Sequence, residues 1–138
     1  MKLRKHKGSV GELFCASVVI VVLLTVVASA VNFCTLLDAK RLLESRTRQY
    51  MLYLETNGNM TNTEVTAFTN DLKSLAFVDN ATVVVNEGLG KRPYGEKVSI
   101  YVTVEASAQS LHLSKVMGVF KEKYVFHIKQ YSTCKALR

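Results

Sequence analysis

Proline is nearly missing from this chain. Its 138 residues hold one, Pro93, together with seven glycines. None of these falls between Glu12 and Gly58, so nothing there forces a helix to break. Charge is missing as well, from Leu13 through Leu37. A run of about 20 apolar residues is enough to cross a bilayer as a helix.

Cysteine and histidine are scarce. The three cysteines, Cys15, Cys34 and Cys134, make no CxxC pair, and no Cys/His spacing suits a metal. The three histidines are His6, His112 and His127. None lies in an HExxH motif, and there is no GxSxG elbow or pair of carboxylates at helical spacing. Gly88-Leu89-Gly90-Lys91 has the wrong spacing for a phosphate loop. The expectation is a protein that is not an enzyme and needs no metal or cofactor.

The charge balance is uneven along the chain. Lys and Arg number 18 against 11 Asp and Glu. Lys2, Arg4, Lys5 and Lys7 crowd ahead of Gly8, and the remainder is far closer to balance. Basic residues just before an apolar run hold that end in the cytoplasm. The excess therefore reads as a topology signal, and no nucleic-acid partner is expected. Three regions follow: a basic leader at 1–8, a transmembrane and assembly helix at 9–37, and an extracytoplasmic domain at 38–138.

Three readings compete for the first region. Ala28-Ser29-Ala30 fits the small-x-small rule of a signal-peptide cleavage site, yet the chain continues uncharged to Leu37. A plain single-pass anchor explains the run and leaves Glu12 at its boundary. In the third reading, Lys7-Gly8-Ser9-Val10-Gly11-Glu12-Leu13-Phe14 resembles the leader of type IV pilins and pseudopilins, most like the TadE/TadG-like class.

That resemblance implies cleavage by a prepilin-type peptidase between Gly8 and Ser9. It implies that Glu12 sets register by meeting the new N-terminal ammonium of an adjacent subunit. It also implies helix packing through Leu13, Phe14, Val18, Val22 and Leu23. The partners implied are the membrane and copies of the chain or related pilin-like subunits. Glu12 is fourth after Gly8, where the family usually has the glutamate fifth; a cut after Lys7 would restore that spacing.

Beyond the run, Leu36, Ala39, Leu43, Thr47, Tyr50 and Leu54 recur at helical spacing. The run thus passes into an amphipathic stem, a rod of roughly 65–70 Å in all. Gly58 reads as its cap. Thr61 to Glu64 reads as a capping box, opening a short helix to about Leu75 with Val65, Phe68, Leu72 and Leu75 on one face. The period then changes to two. Strands are expected at Ala81–Asn86, Lys97–Glu105 and Tyr124–Tyr131, with a short helix or loop at 108–119. The fold class is α+β, pilin-like: a long N-terminal helix, a short second helix and an antiparallel sheet of about three strands.

Cys34 and Cys134 are the one candidate disulfide pair for an oxidising compartment, joining stem to last strand. The alternative function is a membrane-anchored or exported small binding module, whose contact would be the loop Glu87–Gly95 with Lys91, Arg92 and Tyr94.

Overall fold

The computed structural model describes residues 10–86, 91–113 and 122–136. Helix α1, Val10–Asn57, is 48 residues long, about 72 Å at 1.5 Å per residue. It runs unbroken through the Leu37–Asp38 boundary. Gly58 ends it with a φ of +71° and donates its N–H to Leu54 O at 2.8 Å, the left-handed cap that glycine adopts without strain. Helix α2, Asn62–Lys73, opens on Thr61. Its capping box is closed: Thr61 N donates to Glu64 Oε2 at 2.6 Å, and Glu64 N donates to Thr61 Oγ1 at 3.3 Å.

Three strands follow: β1 Asn80–Val85, β2 Lys97–Ser107 and β3 Lys123–Thr133. They form one antiparallel sheet in the order β1-β2-β3. The alternation expected for β2 is present, with Val98, Ile100, Val102, Val104 and Ala106 all buried. Of the 108–119 segment, residues 108–113 form turns, with His112 at a φ of 52°; residues 114–119 lie outside the described residues.

The core lies between the inner sheet face and the two helices. Leu43, Met51 and Leu54 of α1 meet Phe68 and Leu72 of α2 and the inward valines of β1 and β2. Each fully buried Leu or Phe contributes about 1.5–3 kcal/mol. Tyr50 stacks on Phe68 with ring centres 3.8 Å apart. A smaller cluster (Ala39, Ala106, Leu111 and Leu113, with Leu36 and Tyr124 beside it) closes the other end of the sheet against α1. The expected stem stripe is the packed one, with Met51 and Glu55 added to it.

Candidate functional site

The two halves of α1 meet different surroundings. Toward its N-terminus the apolar side chains stand outward on every side. Leu13 and Phe14 are each 71% exposed, and Val18, Val22 and Leu23 lie between 46% and 59%. The stretch is long and apolar enough to cross a membrane. Its polar residues are accommodated locally. The hydroxyls of Ser17, Thr25, Ser29 and Thr35 donate to the carbonyls of Leu13, Val21, Thr25 and Val31 at 2.8–3.1 Å. Bonding back to i−4 in this way gives each of these hydroxyls an acceptor within the helix itself. Glu12 is exposed in the first turn of α1, where the helix dipole favours a negative charge. Gly8 and Ser9 lie outside the described residues.

Asn32 is the exception within the uncharged run. Only 2% of it is exposed, so the body of the protein reaches down α1 below Leu36. Hydropathy along the run does not signal this.

The opposite end of α1 is tied by a polar knot. Glu55 is buried, its side chain 3% exposed. Arg48 Nη1 lies 3.4 Å from Oε1 and Lys135 Nζ lies 3.1 Å from Oε2. The Ser132 hydroxyl, then Lys135 and Arg48, hold this carboxyl below the ordinary 4.5 although burial pushes the other way. Lys135 N also donates to Glu55 O, which fastens the tail after β3 to the end of the stem. On the amphipathic spacing alone Glu55 reads as one more surface charge. Lys135, 80 residues away, can be paired with it only in three dimensions.

Cys134 belongs to this knot, and that decides between the candidate disulfide and free thiols. It is buried, and its thiol donates to Arg92 O at 3.3 Å. It lies so near Gly58 that a Cβ there would be 2.9 Å from Sγ and 2.6 Å from Arg92 O. Cys34 is exposed on α1, 24 residues before Gly58, or about 36 Å along the helix. A disulfide needs Cα atoms within about 7 Å. Cys34 and Cys134 therefore do not pair, and all three cysteines are free.

The loop offered as a contact is partly structural. Arg92 donates its N–H to Gly58 O at 2.9 Å and its guanidinium lies 3.6 Å from Glu96, so it braces the knot. Lys91 and Tyr94 are exposed. Residues 87–90 lie outside the described residues.

Between α1 and α2 is a groove of about 320 Å³ lined in part by Arg46, Tyr50, Tyr53, Glu64 and Asp71. The Tyr53 hydroxyl donates to Glu64, and this bond, followed by those from Thr61, lowers the Glu64 carboxyl below its ordinary range. Its acid is thereby committed to the capping box. Among the described residues, no group of three or more His, Cys, Asp or Glu is placed to hold a metal.

No family model, curated protein or solved structure matches this chain. The reading of function therefore rests on the geometry and chemistry above.

Proposed function

We propose that this chain is a pilin-like structural subunit of a type IV pilus-related, secretion or conjugation apparatus. It is held in the membrane by Leu13–Leu37, with its N-terminus cytoplasmic and its α+β domain outside. It assembles through that helix with copies of itself or related subunits, after a prepilin-type peptidase trims the leader between Gly8 and Ser9.

One observation carries this reading. The apolar half of α1 is uncovered and continues without a break into the stem that holds the domain, with a single acid, Glu12, in its first turn. A bare anchor gains from a carboxylate at that place only its interaction with the helix dipole. In a bundle of such helices a carboxylate is costly until it meets a cation, so it favours only the register in which a neighbour's ammonium lies beside it. Leu13, Phe14, Val18, Val22 and Leu23 supply the packing surface.

Cys15 is exposed on the same stretch and provides the test. In a Cys34→Ser background, oxidative crosslinking in native membranes is expected to yield Cys15-linked dimers. Glu12→Ala is expected to leave insertion intact and reduce those dimers at least about fivefold, the loss of a coupling near 1 kcal/mol. Undiminished crosslinking in Glu12→Ala removes the register role. Intact-mass analysis of the mature chain tests processing: loss of seven or eight residues supports it. Loss of about 30 indicates a signal peptide, and an intact N-terminus a plain anchor.

A further inference from the structure

The helices cover one face of the sheet and leave the other open. Strand register decides what is gathered there. Val84, Tyr101 and Lys129 stand side by side across the three strands, flanked by Thr82-Thr103-His127 and by the pair Ser99-Tyr131. At the centre, Lys129 Nζ lies 4.4 Å from the Tyr101 ring centre and 5.2 Å from that of Tyr131. The rings meet edge to face at 6.0 Å, and their hydroxyls bond each other at 2.7 Å. Lys129 is exposed, so its ammonium, with three donors, is open to an outside acceptor.

Three features define what fits. The outward positions of β2 and β3 carry Lys97, Lys123 and Lys129 against one acid, Glu105, so the face suits an anion. Tyr131, 55% exposed, offers an apolar ring beside the hydroxyl-bearing Ser99 that pairs with it, the mixture that a sugar ring presents in return. Where β2 begins, this face opens into a hollow of about 360 Å³ lined by Asn86, Lys97, Ser99 and Tyr131 and by Arg92 in its ion pair with Glu96.

Two other polyanions fit less well. A nucleic-acid strand stacks successive bases on several aromatic faces, whereas among the outward strand positions Tyr131 is the one exposed aromatic ring, Tyr101 being half-buried. No arginine occupies an outward position of the strands to fork a phosphate. An acidic peptide bound by strand addition would need an open sheet edge, and the cluster of Lys129, Tyr101 and Tyr131 lies on the face of the sheet.

We propose that this open face binds an acidic polysaccharide, a polymer of uronic acid units, with Lys129 as the carboxylate anchor and Tyr131 as the platform for a neighbouring ring. The site is independent of assembly through α1.

The test uses the full chain in detergent micelles and an end-labelled oligogalacturonate read by fluorescence anisotropy. Saturable binding that weakens with salt is expected. Lys129→Gln should weaken it at least about tenfold and Lys129→Arg should retain most of it. Tyr131→Ala should weaken it by a smaller factor, and Lys73→Gln, on α2, should leave it unchanged. Unlabelled neutral dextran and oligothymidylate should compete at least about tenfold less well than unlabelled oligogalacturonate. Absence of saturable binding, full binding by Lys129→Gln, or equal competition by oligothymidylate overturns the proposal.

Discussion

The two halves of α1 share one backbone and differ in what solvates them. Below Asn32 the helix turns apolar side chains outward on all sides and returns its hydroxyls to its own carbonyls. Above it, one stripe from Ala39 to Leu54 is sealed against sheet and α2, and some polar groups reach across to other elements, as Glu55 does to Lys135. Helical structure is thus the same answer to two problems. A helix satisfies its backbone without outside partners, which suits hydrocarbon. An amphipathic helix buries one stripe, which suits a small domain short of core.

The sharpest way to break this comparison is one substitution made in both halves. Leu43 is 0% exposed and sits in the core, so Leu43→Ala should cost about 2–5 kcal/mol of domain stability. Leu23 is 59% exposed, and Leu23→Ala should leave domain stability within about 0.5 kcal/mol of the parent. Chemical unfolding of the full chain in micelles, followed through the β-sheet circular dichroism signal, measures both. Equal losses at the two positions would mean that the domain folds against the lower half as well.

Glu55 gives the next largest effect. Its folded pKa is depressed, so the stabilisation it brings is complete above its ordinary 4.5 and disappears as pH falls through the lower folded value. Glu64 and Asp79 are lowered too, first by the hydroxyls of Tyr53 and Ser110 respectively, and act in the same direction. The parent should therefore weaken in acid below about pH 4.5. Glu55→Gln should cost about 1–3 kcal/mol at pH 7, since its cations lose their partner, and should flatten part of the acid slope. A slope unchanged by Glu55→Gln would assign the acid sensitivity to the exposed carboxylates.

What the sequence revealed of this fold was whatever rests on neighbours in the chain. The unbroken helix, the Gly58 cap, the capping box at Thr61 and the alternation of β2 each depend on residues within a few positions of one another, and all are present. The features that escaped depend on distant residues. Cys34 and Cys134 are a plausible pair until the length of the stem is seen to separate them. Glu55 resembles a surface charge until β3 delivers Lys135. Tyr101, Lys129 and Tyr131 are unremarkable in sequence, and only the β2–β3 register makes them one cluster. Of the candidate site, the apolar run and Glu12 were legible from composition, while the depth to which the domain covers α1, as far as Asn32, was not.

The smallest effect probes what the two halves have in common. Thr25 and Thr47 donate their hydroxyls to Val21 O and Leu43 O, each at 2.8 Å. Thr25 lies in the apolar run, and Thr47 is 0% exposed against the core. In both, the accepting carbonyl already belongs to the helix ladder, so Thr→Val removes a donor together with its local bond and strands no partner. A net hydrogen bond is worth about 0.5–1.5 kcal/mol, and an isosteric apolar replacement recovers part of that through burial. Thr47→Val should therefore shift domain stability by less than about 1 kcal/mol. Thr25→Val should shift it by nothing measurable and leave membrane insertion intact. A loss above about 2 kcal/mol at Thr47 would show that its hydroxyl also satisfies a group outside α1. The upper half would then rely on cross-element polar bonds at its centre as well as at its end.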